Sequence, residues 1–426
     1  MANTAVSSQI GFVGWEAESS FAESGDDTYT VVHQVRDDEL DLSGLVRPML
    51  DPAGTYQRLN ERDLARVGGY GVSSFSFTLD LAAHGATTAS GALTETNLAK
   101  LLAHVVGNSA WTQQGGVSSG GGDADTLVTD GGSEAFVLGS LLRVGALGDA
   151  RGGGQAVACS TVTGSPATST ELLTGTAAGA ADGDVVYAMG MVYPVSASGS
   201  GDIITADDST SSNTLRFVVS TGNTAWVLRG CACTGITING LNPGEIPSVT
   251  FEWGVAAFAP ITVTFPSATA IADKVPTVNA NGSCFIQTAG TTTSATVAPL
   301  EMSISIGQGM VPVMGPGGAT VGQNVVGWRR VPAETTMNLV IEAEAQTASP
   351  AYWLTANRTT ARHILVTGNT VDGASWAFYA PRADQMNDPT QGSTNGLNTY
   401  SLDFKLLTNT TTTSELTLSA WRLGLG

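Results

Sequence analysis

The chain has 426 residues, of which 37 are acidic and 18 are basic, giving a formal net charge of −19. Apolar residues make up 42 % and charged residues 13 %, which excludes a disordered chain because disorder requires low hydrophobicity and high charge. The acidic surplus argues against a surface for nucleic acids or anionic membranes, since clustered Lys and Arg bind both.

The segment from Arg36 to Arg66 is highly charged: twelve of its 31 residues carry a charge, and five of the 18 basic residues lie there. One interpretation is a solvated hairpin, whose surface ion pairs contribute little stability. The other is an arm that docks on another subunit, where charge complementarity selects partner and register. The arm residues would be Arg36, Asp37, Asp38, Glu39, Arg47, Arg58, Arg62 and Arg66.

Further along the chain, apolar periodicity predicts one helix and several antiparallel strands with one buried face. The helix is expected to run from Thr94, its N-cap, to Val106, with Gly107 directly after it. Two stretches are expected to be loops or insertions: 108–134, rich in Gly, Ser and Asp, and 145–213, rich in Ala, Gly, Ser and Thr. Strands are expected near 75–81, 185–192, 249–255, 302–306, 339–345 and 402–406.

Two parts of the chain share an order of features that predicts an internal duplication, with chance matching of strand-rich sequence as the alternative. Arg66-Val67 precedes the strand containing Phe75, and Arg330-Val331 precedes the strand containing Leu339 at the same distance. The predicted domains are 1–258, with the arm and both Gly-rich stretches, and 259–426. The sheet edges expected to join domains or protomers carry Phe75, Phe77, Leu79, Leu339 and Ile341.

The residues that usually carry chemistry occur here without a catalytic or metal-binding pattern. None of the four histidines lies in a known hydrolase or metalloprotease motif. Asp123, Asp125 and Asp130 lack the spacing of an EF-hand, so a solvated loop is favoured over a calcium site. Cys231 and Cys233 are two residues apart rather than three, so they predict reduced thiols in a reducing compartment rather than a zinc site. No enzymatic activity, cofactor or metal is expected.

The N-terminus has neither a positive region nor an apolar region, so no signal peptide is expected. The longest nearly unbroken apolar stretch, Val185 to Val195, is shorter than the ~20 residues that cross a membrane.

Several segments resemble tail tube proteins of long-tailed bacteriophages. The run from Leu228 through Arg-Gly-Cys-Ala-Cys and Pro-Gly-Glu-Ile to Trp253 is similar to one segment of that family. Further similar segments are Asp273-Lys-Val-Pro to Asn281-Gly-Ser-Cys-Phe, Leu300–Ile306, Val46-Arg-Pro-Met-Leu50 and the strand Ser74–Leu81 with the helix after it.

The resemblance implies a mainly β fold: two tail-tube-like antiparallel β-sandwich or barrel domains, with a flanking helix and a long stacking arm. It implies a virion protein, assembled in the host cytoplasm, whose rings stack into the tube through which DNA is ejected. The partners implied are further copies of the chain, with three copies in a pseudo-hexameric ring favoured over six, and the tape measure, terminator and baseplate proteins. DNA would pass an acidic lumen without specific binding, and no membrane would be involved.

Two other functions are compatible with a strand-rich, acidic chain. One is a capsid-decorating or receptor-binding virion protein with β-sandwich domains, which would not polymerise into tubes. The other is a secreted calcium-dependent adhesin, which the missing signal peptide and the spacing of the aspartates disfavour. A reversal of two arm charges distinguishes the docking arm from a structural one, because only a docking arm would lose polymerisation without loss of the fold.

Overall fold

The computed structural model of the protein describes residues 10–19, 21–22, 29, 31–36, 39–45, 72–81, 95–110, 115–117, 126–128, 141–145, 155–163, 169–172, 185–194, 214–221, 224–242, 244–261, 283–288, 294–297, 299–315, 325–331, 333–343, 361–368, 375–394, 396–408 and 419–425. This part of the chain is mainly β, as the sequence predicts, with antiparallel ladders and one helix, α1 (Asn97–Val106). 

The strands of the first 261 residues are β1 (Ile10–Ala17), β2 (Val31–Arg36), β3 (Leu40–Asp41), β4 (Ser73–Asp80), β5 (Gly107–Ala110), β6 (Gly115–Val117), β7 (Thr126–Val128), β8 (Leu141–Gly145), β9 (Gln155–Thr163), β10 (Ser169–Leu172), β11 (Val185–Ala188), β12 (Gly190–Pro194), β13 (Leu215–Thr221), β14 (Thr224–Asn239), β15 (Ser248–Val255) and β16 (Ala257–Ile261). The strands that follow are β17 (Ser283–Thr288), β18 (Ser294–Val297), β19 (Pro299–Gly307), β20 (Met310–Met314), β21 (Val325–Arg330), β22 (Thr335–Glu342), β23 (Arg362–Gly368), β24 (Trp376–Gln385), β25 (Thr390–Thr394), β26 (Leu397–Leu406) and β27 (Arg422–Leu425).

Helix α1 begins later than the sequence predicts. Thr96, not Thr94, is the N-cap: its side-chain oxygen accepts a hydrogen bond of 3.0 Å from the backbone N–H of Ala99. Gly107 ends the helix in the left-handed conformation, as expected. The buried face of α1 packs against β5, β12 and β2.

A pattern of strand pairing in the first half recurs in the second half. The ladders β2–β1–β13–β14 correspond to β18–β17–β23–β24. The ladders of β14 with β15 and β16 correspond to those of β24 with β26 and β27. The run β15–β4–β3 corresponds to β26–β22–β19. Even an irregularity recurs, at Leu215–Phe217 in the β13–β14 ladder and at Arg362–Ile364 in the β23–β24 ladder.

The register of this repeat differs by two residues from the predicted one. Phe77 lies opposite Phe251 in the first half, and Leu339 lies opposite Leu402 at the matching place in the second half. Leu339 therefore corresponds to Phe77 rather than to Phe75. A slip of two residues leaves the same side chains on the buried face, so apolar alternation in the sequence does not detect it.

Strand β14 belongs to two sheets because it bends in its middle. Its first half pairs with β13 and β16, and its second half pairs with β15 and β19. Gly230 lies between these halves with a φ of +60°, where a Cβ would stand 2.8 Å from the Cβ of Ala256. Only glycine fits this backbone conformation and this close approach.

The core of the first half lies between the two sheets that share β14. Five aromatic side chains fill it, and the ring centroids of Phe217 and Trp253 are 4.7 Å apart in an edge-to-face arrangement. The other members are Phe75, Phe77 and Phe251, all buried. The same positions of the second half hold smaller side chains, for example Leu339 and Leu402, also buried.

An insertion separates the repeated strands of the first half. Helix α1 and β5–β12 lie between β4 and β13, where the second half has only residues 343–361. The Gly-rich stretches predicted as loops contain β5–β7 and β9–β12, and the strand predicted near 185–192 is present as β11 and β12. β12 pairs with both β5 and β27, so the insertion contacts the second half. β6–β11 form a separate six-stranded sheet.

The predicted boundary between residues 258 and 259 lies inside β16, and the division into two domains stays a prediction. No helix in the described ranges is long and apolar enough to cross a membrane.

Candidate functional site: the polar face of a continuous sheet

One sheet crosses both halves of the chain. Its strand order is β3–β4–β15–β14–β19–β22–β26–β25, with β14 contributing its second half. The β14–β19 ladder joins the halves and places Ile236 opposite Ile306 and Thr237 opposite Ser305. Since side chains opposite each other share a face, one face of the sheet can be followed from strand to strand.

The face opposite the core is called the polar face here. A row of small hydroxyl side chains, Thr78, Thr250, Thr237, Ser305 and Thr336, crosses five strands and both halves. The polar face includes Asp41, Ser74, Ser76, Thr78, Asp80, Gly235, Thr237, Asn239, Ser248, Thr250, Glu252, Gly254, Glu301, Ser303, Ser305, Thr336, Asn338, Val340, Glu342, Thr390, Thr399, Ser401, Asp403 and Lys405.

Hydrogen bonds between neighbouring strands hold the side chains of the polar face in place. The Thr78 and Thr250 hydroxyl oxygens are 2.8 Å apart. The Asn338 amide donates to a carboxylate oxygen of Asp403 at 2.7 Å and to the Ser401 hydroxyl at 3.0 Å. Such cross-strand pairs stabilise the sheet and limit the reach of its side chains into solvent.

The polar face is negatively charged. Its six carboxylates, Asp41 among them, are set against one ammonium group, that of Lys405, which forms an ion pair with Glu334. Glu252, Glu301 and Glu342 are exposed. A face of this kind repels phosphate groups at short range, and it has no cluster of Arg and Lys to bind them.

The side chains predicted to mark sheet edges lie in the core instead. Phe75, Phe77 and Leu79 belong to β4, which pairs with β15 along its length and with β3 beside Phe77. Leu339 and Ile341 belong to β22, which has β19 on one side and β26 on the other. The apolar alternation identifies buried strands, but a strand in the middle of a sheet shows the same alternation as one at its edge. Among the described strands, β3 and β25 are the outer ones of this sheet.

Most of the predicted arm lies outside the described residues. Those residues are Asp37, Asp38, Arg47, Arg58, Arg62 and Arg66. The backbone of Arg36 ends β2 opposite Ile10, and Glu39 is half-buried just before β3. The possible calcium ligands Asp123, Asp125 and Asp130 also lie outside the described residues.

The arm has a counterpart in the repeat, the hairpin of β20 and β21. The part of the arm after β3 follows Asp41, which pairs with Ser76 in the first half. The hairpin follows Ser303 of β19, which pairs with Asn338 in the second half. The chain between the two members of each pair has the same length. The arm and the hairpin thus occupy the same place in chain order.

The β20–β21 hairpin docks on the first half through Trp328. This side chain is buried, and its indole N–H donates to the backbone carbonyl of Gly230 at 2.8 Å. The ring also lies against Gly254, where a Cβ would be 2.4 Å from the Cη2 atom of Trp328. Ala232, Ala256 and Val325 complete this apolar contact.

The backbone N–H of Gly230, unlike its carbonyl, donates its hydrogen bond to a buried carboxylate. Glu18 accepts a hydrogen bond of 2.9 Å from the Gly230 N–H, and others from the Ala22 N–H and the Thr214 hydroxyl. Burial raises the pKa of Glu18 above its ordinary value of 4.5, although these hydrogen bonds oppose the change. The bend of β14 is thereby fixed from both sides of one residue.

One histidine and three cysteines are further buried titratable groups. His33 accepts a hydrogen bond of 3.1 Å from the Trp15 indole, and burial lowers the His33 pKa to about 4, so the imidazole is neutral. Cys231, Cys233 and Cys284 are buried free thiols, and burial raises the pKa of each. In the part of the chain that the structure describes, no group of three or more His, Cys, Asp or Glu side chains is placed to hold a metal ion.

Comparison with protein-family models and with curated protein sequences finds no match to this chain. The fold defines a class: a mainly β protein built on a large antiparallel sheet, with a single helix in the described ranges.

Proposed function

We propose that the protein is a structural subunit that polymerises into stacked rings and forms the tube of a bacteriophage tail. The observation that carries this proposal is the polar face, whose row of small hydroxyl side chains crosses five strands and both halves of the chain. A lumen lined by such a face would let a polyanion slide, because carboxylates repel phosphates and small hydroxyls offer no strong anion site. The resemblance to tail tube proteins supports the same function.

The repeat supports a ring in which each chain contributes two units. Each unit supplies four strands to the sheet, and the β14–β19 ladder joins one unit to the next within the chain. A ring of three chains then contains six such units, as the resemblance implies for a duplicated member. Closure into a ring also covers the sheet edges that would otherwise pair without control.

The charged arm is proposed to contact the next ring of the assembled tail, with Arg47, Arg58 and Arg62 paired with carboxylates there. Its counterpart, the β20–β21 hairpin, lies against small apolar residues of the first half. The matching positions in the second half are charged instead, with Arg382 and Asp384 3.5 Å apart and Lys405 beside them on β26. A charged arm suits a charged receiving surface, which supports docking between chains.

Electron microscopy tests the proposal directly. Purified protein, concentrated and incubated for days, is expected to show rings or hollow tubes in negative stain. The mass of one ring, three or six times the 43.5 kDa of one chain, gives the number of subunits. Protein that stays monomeric even with a tail initiator complex present would contradict the tube and favour a capsid-decorating or receptor-binding protein.

A charge reversal of the arm tests the docking. Arg58→Glu with Arg62→Glu should abolish polymerisation and leave the free energy of unfolding nearly unchanged, because surface ion pairs add little to the stability of one chain. Lys100→Glu, on the exposed side of α1, is the control and should polymerise normally. Loss of the fold in the double variant would reject the docking role.

A second charge reversal tests whether the polar face lines the lumen. Tubes carrying Glu252→Lys and Glu301→Lys should retain double-stranded DNA in a salt-dependent manner, whereas wild-type tubes should not. Lys100→Glu again serves as the control. Equal retention of DNA by wild-type and variant tubes would contradict a lumen lined by the polar face.

A further inference from the structure

We propose that β25 of one chain pairs with β3 of the next chain, so that the continuous sheet is extended head to tail. This inference rests on the proposed function and names the two surfaces that would join the subunits. The occupant of each edge is a second copy of the same chain.

The continuous sheet consists of two four-strand units that correspond strand by strand. In the order along the sheet, β3, β4, β15 and the second half of β14 form the first unit. β19, β22, β26 and β25 form the second unit. β25 takes the place of the end of β14 because Thr390 lies opposite Ser401 as Thr237 lies opposite Thr250.

Within the chain, the last strand of the first unit pairs with the first strand of the second. That is the β14–β19 ladder, in which Thr237 lies opposite Ser305 and Ile238 opposite Ile304. If the two chains join as the two units do, then β25, the last strand of the second unit, pairs with β3, the first strand of the first unit of the next chain. Among the described residues β25 pairs only with β26 and β3 only with β4, so these two strands are the ends of the sheet.

The internal ladder also gives the register of the proposed contact. Ser303 corresponds to Asp41, because Ser303 lies opposite Asn338 as Asp41 lies opposite Ser76. Two residues further along, Ser305 therefore corresponds to Ser43. Thr390 should therefore lie opposite Ser43 of the next chain, and Gln391 opposite Leu42. β25 is exposed from Thr390 to Ser393, as an edge that receives a partner must be.

The β3 edge is closed by a turn in the single chain. The Ser43 N–H donates to a side-chain oxygen of Asp41 at 2.8 Å, and the Leu45 N–H donates to the Leu42 carbonyl at 3.0 Å. The corresponding residues of β19 are extended and paired with β14. Opening this turn would free the backbone N–H groups of Ser43 and Leu45 for pairing with β25. While the turn is closed, it prevents β3 from pairing with other strands.

The contact is heterologous, since two different edges meet. Such a contact forms rings where the rotation between copies closes and open filaments where it does not. Because the β25–β3 contact would repeat the β14–β19 contact, the polar faces of successive chains would lie on the same side of the extended sheet.

Disulfide trapping tests the contact and its register. A chain with Ser43→Cys and Thr390→Cys, oxidised with copper phenanthroline after assembly, should give covalent oligomers on a non-reducing gel, because residues opposite each other in a ladder lie within disulfide range. Ser43→Cys with Gln391→Cys is the register control and should give none, since one residue of slip turns the side chain to the other face. Each single variant and the wild type should also give none.

The internal ladder provides the matched positive control. Thr237→Cys with Ser305→Cys should form a disulfide within one chain and no covalent oligomer. If rings are seen by microscopy and the internal pair forms its disulfide, but Ser43 and Thr390 variants give no covalent oligomer, the proposed contact is wrong and the tube function stands. If no assembly forms under any condition, the proposed function fails and this contact fails with it.

Discussion

The docking of the β20–β21 hairpin on the first half can be tested by a double-mutant cycle at Trp328 and Gly254. Trp328→Ala removes a buried indole and leaves a cavity, which typically costs 3–5 kcal/mol of unfolding free energy, about 4 kcal/mol here. Gly254→Ala adds a methyl group 2.4 Å from the Cη2 atom of the ring, so the ring must move. Overpacking of this kind costs about 1–3 kcal/mol.

The two changes should not be additive. Once Trp328 is alanine, the methyl group added at Gly254 meets no ring, so Gly254→Ala should then cost almost nothing. The expected coupling energy is therefore about 1–3 kcal/mol, far above the roughly 0.3–0.5 kcal/mol within which independent sites add. Urea unfolding followed by circular dichroism measures each corner of the cycle.

Gly327→Ala is the matched control, because a Cβ at Gly327 has no atom within 4 Å. It should change the free energy of unfolding by less than about 1 kcal/mol. An equal cost of Gly254→Ala in both backgrounds would refute the docking of Trp328 against Gly254, whatever the stability of the single variants.

Three further predictions concern buried titratable groups. The neutral His33 should make the free energy of unfolding fall by about 3 kcal/mol as pH drops from 6.5 to about 4, and His33→Gln should remove this fall in urea titrations at several pH values. Glu18 should act in the opposite direction: its raised pKa lowers stability as pH rises from 4.5 through the pKa of the folded state, and a decrease that persists in Glu18→Gln would contradict this. Cys231, Cys233 and Cys284 should resist iodoacetamide in the folded protein and react after unfolding, as counted by mass spectrometry; fast labelling of any of them in the native state would be inconsistent with their burial.

The strands that alternate clearly were predictable from the sequence. β4, β15, β19, β22 and β26 bury alternate residues over most of their length, and each overlaps a stretch where alternation predicts a strand. One helix was predictable for the same reason. These elements obtain their stability from a single apolar face, which local sequence records.

The elements that join the sheet were not predictable in this way. β14 has 16 residues, but the run Arg-Gly-Cys-Ala-Cys-Thr-Gly in its middle breaks the alternation where the strand changes sheets. β25, Thr-Gln-Gly-Ser-Thr, has no apolar residue at all. Their strand conformation depends on backbone pairing with distant partners, and the sequence of one segment carries no record of its partners.

The candidate site was missed for a related reason. The polar residues between the apolar ones of β4 and β15 are ordinary solvent-facing residues in each strand taken alone. Only their alignment across strands, such as Thr78 opposite Thr250, shows that they form one face. The charged arm was recognised by composition, whereas its place in the repeat follows from the ladders on either side of it.

The pairing of β12 has a consequence for the order of events during synthesis. β12, at residues 190–194, lies between β5 and β27, and β27 is formed by residues 422–425. The insertion therefore lacks its last neighbour until residues 422–425 have left the ribosome. Contacts of such sequence separation slow folding, because a long loop must close before they form. A nascent chain that has not reached β27 is thus unable to complete this part of the sheet.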